Sequence, residues 1–364
     1  MAPADDSANP VVSVIIPVHN RAELCRQATE SATAALEGMN AEVIVVDDGS
    51  DADGSDGDIS SALSIKAGNV RPGQSARSTK HETVSLSLHR IARSGMPGHV
   101  RNVGVGLAGG RYLAFLDSDD LWYPDKIRAQ LEELRATGVR MVHCRERWIR
   151  GGREISQRRH RHQRRGDIFK DALVKCIVGP STFVIERALF EMSGGFRDDM
   201  RVAEDYELAL RLLAFEPVAY VDHPLVEKRD HDGPQLSHMY SHIEGFRIRA
   251  LGDLLADMLE ARAAGESGSD SGAKGRTELR ELLDAIDAVG AIHAENSSGR
   301  WFPRTRWGTL PPARVDRSRV EQAAREYARK CRIFANGASK RGRDREARFH
   351  SIAAERLENA CYPL

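Results

Sequence analysis

The stretch VVSVIIPVHNRAELCRQATESATAALEGMNAEVIVVDDGS, residues 11–50, places two short apolar, β-branched runs on either side of a helical pattern. VVSVIIPV (11–18) and EVIVV (42–46) show little polar alternation, as expected of strands buried on both faces. Between them Leu24, Ala28, Ser31, Ala32 and Ala35 recur at helix spacing, which predicts a helix over 22–37. Strand, helix and strand with short connections form a βαβ unit. The expected fold class is therefore α/β, a mainly parallel sheet flanked by helices.

The same pattern continues along the chain. TVSLSL (83–88), YLAFL (112–116), 139–143, STFVIE (181–186) and 218–221 read as further strands. Residues 102–108 read as a helix ended by Gly109-Gly110, Pro124 opens a helix running to Leu134, and 187–192 and 205–214 form two more. Residues 51–80 are rich in Ser, Gly and Asp and read as a long loop with at most one weak helix. Beyond Ser237 only helical patterns remain, over 243–259, 277–293, 317–335 and 340–358, with a flexible linker composition at 265–276. The expected organisation is a frayed tail at 1–10, an α/β domain at 11–230 and a helical C-terminal extension at 231–364.

A length of 364 residues suits two domains, at about 150 residues each. With 41% hydrophobic and 29% charged residues the chain is not broadly disordered. Lys plus Arg equals Asp plus Glu, 53 against 53, which excludes a globally basic nucleic-acid binder. Cys25, Cys144, Cys176, Cys331 and Cys361 never stand at CxxC spacing, so unpaired thiols in a reducing compartment are expected, not a zinc or disulfide framework. No apolar run approaches the roughly 20 residues of a membrane span, and the acidic start MAPADDSANP is no secretory signal. Both point to a cytoplasmic protein.

The chemistry is expected where acidic residues follow strands, because open parallel sheets bind ligands beyond the carboxyl ends of their strands. Asp47-Asp48 stand at one such end and Asp117, Asp119 and Asp120 at another. Gathered carboxylates repel one another and require compensation by a cation or by hydrogen bonds. A hard divalent ion, Mg²⁺ or Mn²⁺, is one compensator and also bridges phosphate oxygens; turn and helix capping is the alternative use of such aspartates.

Four ordered motifs then carry a resemblance: SVIIPVHN (13–20), VIVVDDGSD (43–51), RNVGVGLAGGRYLAFLDSDDLWYPDKI (101–127) and GGFRDDMRVAEDYELALRL (194–212). Together they resemble the nucleotide-sugar-dependent glycosyltransferases of family 2, which have the GT-A fold. The resemblance implies that Pro17, His19 and Asn20 line the nucleoside and that Asp48 accepts a hydrogen bond from the base, commonly uracil, so a UDP-sugar is favoured. It places an Asp-x-Asp motif on Asp117-Ser118-Asp119, with Asp119 ligating Mn²⁺ or Mg²⁺ and Asp117 at the ribose or assisting the metal. Arg101 matches a basic position near the nucleotide. Glu204-Asp205 match the acidic pair that precedes a helix, with Asp205 as the base that deprotonates the acceptor hydroxyl in an inverting transfer. His231 falls where some relatives have a loop closing over the donor, which implies a place in the metal shell or at the diphosphate; a solvated loop histidine is the alternative.

This sequence also departs from the family. His19 replaces an aromatic residue, the segment from Ser50 to Arg101 is long, and no Gln-x-x-Arg-Trp motif follows Asp205, which argues against a processive synthase. His238 and His242 share a helix spacing without an acidic partner motif, so no zinc site is expected there. Gly179-Pro180-Ser181 either shape an acceptor subsite or form an ordinary turn. The Arg-rich segment RERWIRGGREISQRRHRHQRR (145–165) has three readings: a solvated irregular hairpin, a docking surface for an anionic acceptor or membrane, or a nucleic-acid site with Trp148 as its one stacking aromatic. The acceptor is expected to be a glycan, a lipid-linked saccharide or a protein, with peripheral contact to the inner face of an anionic membrane and no nucleic acid. The rival to an enzyme is a binding module that uses this basic segment for RNA or membrane. The sequence leaves the oligomeric state open.

Overall fold

A computed structural model describes residues 10–51, 58–64, 75–78, 84–155, 164–229, 243–265, 280–289, 291 and 317–360. The chain divides into two compact units, and the division does not fall at one point of the sequence. The first comprises residues 1–166, 178–191 and 216–235; the second comprises 167–177, 192–215 and 236–364.

The first unit is built on one sheet. Its strands are β1 (Val12–Val18), β2 (Ala41–Asp48), β3 (Ser75–Ser78), β4 (Val84–Ile91), β5 (Tyr112–Phe115), β6 (Leu121–Trp122), β7 (Met141–Arg150), β8 (Arg153–Ile155), β9 (Val184–Glu186) and β10 (Ala219–Arg229). They run in the order β3-β4-β2-β1-β5-β9-β7-β10-β6, with β8 added to β7. β4, β2, β1 and β5 are mutually parallel. Beyond β5 the sheet turns antiparallel through β9 and is parallel again only between β7 and β10, so it is mixed.

β1 lies at the centre between β2 and β5, and Val12, Val14, Ile15 and Ile16 are wholly buried. Its pairing with β5 ends at Ile15, so Pro17 sits past the end of that ladder, where a missing N–H is tolerated. The helices α1 (Ala22–Ala35), α3 (Pro97–Leu107) and α4 (Lys126–Thr137) belong to this unit, with a one-turn helix α2 at Ile59–Ala62. α3 approaches β1 so closely that a Cβ on Gly104 would lie 2.5 Å from Ile15 Cγ2.

Several boundaries differ from expectation. β3 pairs antiparallel with β4 inside the region read as loop, where a Ser/Gly-rich composition hides an edge strand. α3 begins at Pro97, before the expected 102. Pro180–Thr182 form a 3₁₀ turn ahead of β9, not the start of a strand. Residues 145–155 of the Arg-rich segment lie in a regular hairpin, with Trp148 opposite Ile155 and Arg150 opposite Arg153. Regular backbone pairing needs no apolar composition, which is why a charge-rich strand escaped the pattern.

The second unit is helical. α5 (Phe169–Val174) and α7 (Glu204–Leu213) pack with α8 (Ile243–Gly265), α9 (280–289), α10 (Arg317–Lys340) and α11 (Asp344–Ala360); α6 (Arg187–Met192) follows β9. The Tyr206 hydroxyl donates to Leu173 O at 2.6 Å, Lys330 Nζ to Val174 O at 3.1 Å and Arg319 to Leu213 O at 3.1 Å. These bonds explain why residues 167–177 and 192–215 join the C-terminal helices and not the sheet that precedes them in sequence. Gly252 lets α8 and α10 approach, since a Cβ there would meet the Tyr327 ring at 2.8 Å. Of the expected linker at 265–276 only Gly265, the last residue of α8, is described, and residues 1–9 of the expected tail also lie outside the described residues. No described helix is long and apolar enough to cross a membrane.

Candidate active site

The carboxyl ends of β1, β2 and β5 are neighbours in the sheet, so the loops that follow them meet. At the end of β2, Asp47 and Asp48 are almost wholly buried and each is held by several donors. Asp47 Oδ1 accepts from Ser50 N at 2.8 Å and from the Ser50 hydroxyl at 2.5 Å, and Arg90 lies 3.5 Å from its other oxygen. Asp48 accepts from Ser94 N at 2.6 Å, Gly95 N at 2.9 Å and the Arg93 guanidinium. Gly49 makes this crossing possible. It has φ +64°, and a Cβ would fall 2.7 Å from Arg93 N.

After β1, His19 Nδ1 lies 3.0 Å from Asp48 O, and the Asn20 side chain lies 3.4 Å from the second His19 nitrogen. Asn20 N donates to Ser50 Oγ at 2.7 Å, and Asn20 Oδ1 accepts from Asp51 N at 3.0 Å. The expected nucleoside residues His19, Asn20 and Asp48 are thus brought together, with Pro17 beside Val46 on β2.

After β5, the turn Asp117-Ser118-Asp119-Asp120 closes with Asp120 N donating to Asp117 O at 3.0 Å. Arg101 on α3 reaches Asp117 Oδ1 at 2.7 Å, while Ser118 is buried. Arg21 Nη1 donates to Asp119 Oδ2 at 3.0 Å, and Arg229 Nε to Asp119 O at 3.0 Å. Asp120 accepts from the Ser181 hydroxyl at 2.6 Å and has Lys228 Nζ at 3.5 Å. Burial works to raise the Asp117 carboxyl, but Arg101 and Lys228 outweigh it and hold the group below its ordinary value. Burial dominates at Asp120 and, with the negative charge of Asp117 and Asp119 and against the pull of Lys228, raises it to about 7.

Arg21, Ser181, Lys228 and Arg229 were not singled out as donor-site residues from the sequence, and Asp120 was noted only as one of the acidic residues at the strand end. Each stands in a stretch that drew notice for another reason, Arg21 after HN in the first motif and Lys228-Arg229 ahead of His231. Ser181 is fully buried; its hydroxyl accepts from Asp117 N at 3.1 Å and its carbonyl from Trp122 Nε1 at 2.9 Å. It braces the acidic turn.

Glu204 and Asp205 open α7 in the second unit, preceded by Ala203 at φ +63°. Glu204 is buried. Asp205 Oδ1 accepts from Tyr206 N at 2.7 Å, and the Cys176 thiol lies 3.6 Å from Oδ2. The first turn of a helix favours such carboxylates. His231 lies outside the described residues.

Among the described residues, no group of three His, Cys, Asp or Glu side chains is placed to hold a metal ion. The donor type at Asp117 and Asp119 is nevertheless right for Mg²⁺ or Mn²⁺, which are commonly held by one or two carboxylates plus substrate phosphate. The residues fit an ion that the carboxylates hold in part and whose shell a diphosphate completes. Four cationic side chains facing three aspartates at one strand end suit a ligand that is itself polyanionic.

A mixed sheet with a parallel β4-β2-β1-β5 part, and acidic and basic residues gathered past its central strands, is that of a GT-A-type transferase. The model of glycosyltransferase-like family 2 matches residues 13–256, and the chain belongs to that family; it is a glycosyltransferase. It is 28% identical over 256 residues to an uncharacterized glycosyltransferase of Rickettsia typhi, covering 65% of this chain and 70% of that protein. To the succinoglycan biosynthesis protein ExoO of Rhizobium meliloti it is 34% identical over 140 residues, 38% of this chain and 34% of that one. In structure it is similar to residues 1–349 of S. aureus TarS in complex with UDP-GlcNAc, with a TM-score of 0.55 at 16% identity, over 96% of this chain and 92% of that one.

Proposed function

We propose that this glycosyltransferase moves one sugar from a nucleoside diphosphate sugar, with UDP-sugars favoured, to an acceptor hydroxyl with inversion at the anomeric carbon. The observation that carries the proposal is the meeting of the β1, β2 and β5 ends, where Arg21, Arg101, Lys228 and Arg229 face Asp117, Asp119 and Asp120. A diphosphate bound there meets preorganised positive charge, which favours its departure as negative charge develops on it. TarS, a protein of similar fold, has been crystallised with UDP-GlcNAc, which supports a nucleotide-sugar donor.

His19 and Asn20 border the nucleoside. Asp48 keeps its orientation because three donors already hold it, and a carboxylate with about four acceptor positions has one left for the base. Asp119, with Asp117 beside it, would hold Mg²⁺ or Mn²⁺. That ion would add positive charge against the leaving diphosphate. On the resemblance, Asp205 accepts the proton of the acceptor hydroxyl while that oxygen attacks the anomeric carbon, and Glu204 supports it; a carboxylate base suits a proton lost as the bond forms.

The test is nucleotide release from UDP-sugars in the presence of candidate acceptors. Asp205→Asn is expected to bind UDP as the wild type does and to lose about 10²–10⁴-fold in transfer. Full transfer by Asp205→Asn would overturn its role as base.

A further inference from the structure

We infer that Arg21 is the resident cation of the Asp119 carboxylate, and that a divalent ion reaches this carboxylate only by displacing it. Asp119 is a metal ligand on the donor-site reading above, on which this proposal rests. Arg21 Nη1 lies 3.0 Å from Asp119 Oδ2, from a position 98 residues earlier in the chain.

The backbone that delivers Arg21 is unusual. Asn20 and Arg21 follow one another at φ +55° and +62°. Asparagine tolerates this left-handed conformation through local hydrogen bonds, whereas a long unbranched side chain rarely adopts it. Here the turn is pinned from several sides: Asn20 N to Ser50 Oγ at 2.7 Å, Asp51 N to Asn20 Oδ1 at 3.0 Å, and Cys25 N to Arg21 O at 2.9 Å. Glycine would fit this backbone without penalty. What glycine lacks is the guanidinium that the turn holds against the acidic loop after β5.

Exposure of both partners separates Arg21–Asp119 from the other two pairs, since Lys228–Asp120 keeps a buried carboxylate (6% exposed) and Arg101–Asp117 a buried guanidinium. Arg101, paired with Asp117, keeps only 6% of its side chain exposed, whereas Arg21 and Asp119 keep 24% and 20%. Arg21–Asp119 is thus an ion pair that a solute can enter. A divalent ion and a guanidinium on one carboxylate repel each other, so gain of the ion means release of the arginine. The released fork then has a matching anion at hand, because planar guanidinium geometry fits phosphate oxygens. Arg21 would pass from Asp119 to the diphosphate, and neither charge would be left unpaired.

The experiment is Mn²⁺ binding to the full chain without nucleotide, followed by the electron paramagnetic resonance of free Mn²⁺. Arg21→Gln and Arg21→Gly should bind Mn²⁺ about three- to tenfold more tightly than wild type, the effect of one removed positive charge in a partly screened site. Glycine suits the backbone at this position, which guards against a variant that fails to fold. Arg21→Lys keeps the charge and should stay near wild type, and Asp119→Asn should abolish the gain in every background. Equal Mn²⁺ affinity in wild type and both neutral variants, or no Mn²⁺ binding by any of them, overturns the proposal. Binding of UDP, GDP and dTDP is titrated in the same samples with Mn²⁺ and with EDTA. If neither UDP, GDP nor dTDP binds under either condition the donor-site reading fails, while the Mn²⁺ comparison still decides the role of Arg21.

Discussion

Gly49 shows how narrowly single residues set this site. The second aspartate of Asp47-Asp48 is useful only if its carboxylate is held, and three donors from residues 93–95 hold it because the chain passes within van der Waals reach of Gly49. Gly49→Ala adds a methyl where φ is +64° and Arg93 N would lie 2.7 Å away. The variant should lose at least about 1 kcal/mol of stability and bind UDP more weakly, read by thermal unfolding and calorimetry. Unchanged stability would show that the 93–95 loop can retreat. The sequence pointed to Asp48, Asp117 and Asp119 because acidic residues after apolar strands are conspicuous. It did not point to Arg21, Lys228 or Arg229, because a cation's partner is set by tertiary contacts across about a hundred residues, and nothing local marks it.

At the level of single elements, α4 carries a test of burial. Lys126 opens this helix with its side chain wholly buried, its ammonium 2.7 Å from Gln130 Oε1 and 3.9 Å from the centre of the Trp122 ring. Burial pulls its pKa from the ordinary 10.5 down to about 8. A folded-state pKa below the unfolded one means that the unfolded chain binds more protons between these values, so stability rises with pH across that window. Wild type should therefore gain on Lys126→Met between pH 8 and 10.5, by up to about 3 kcal/mol, in denaturant unfolding followed at several pH values. A constant difference between the two proteins would mean that Lys126 stays charged in the fold. The central strands were readable because burial on both faces leaves continuous apolar runs, as in β1 and β2. β3 and the outer half of β7 were not, since edge strands and hairpins rest on backbone bonds that serine and arginine make as well as valine does.

For the whole molecule, the pattern of the sequence suggested a boundary near residue 230, yet the compact units interleave. α7 lies between β9 and β10 in sequence and packs in the helical unit, with Tyr206 bonded to Leu173 O and the apolar residues Leu208, Leu210, Leu212 and Leu213 all buried. A linear reading cannot see this, because an apolar helix face does not name its partner. A fragment of residues 1–235 keeps the whole sheet but lacks α8, α10 and α11. It should fail to give a monomeric, cooperatively melting species in size exclusion and circular dichroism. A stable monomer with cooperative melting would contradict the two-unit division.

The central claim is that the aspartates past β2 and β5 form the donor site. Calorimetric titration of UDP into the full chain, wild type and Asp119→Ala, with Mn²⁺ and with EDTA, tests it most directly. UDP binding to wild type that strengthens with Mn²⁺, and a loss of that strengthening in Asp119→Ala, is the predicted result. If no binding of UDP, GDP or dTDP is seen under either condition, these aspartates serve only their turns, and the basic hairpin of β7 and β8 becomes the place to look for a ligand.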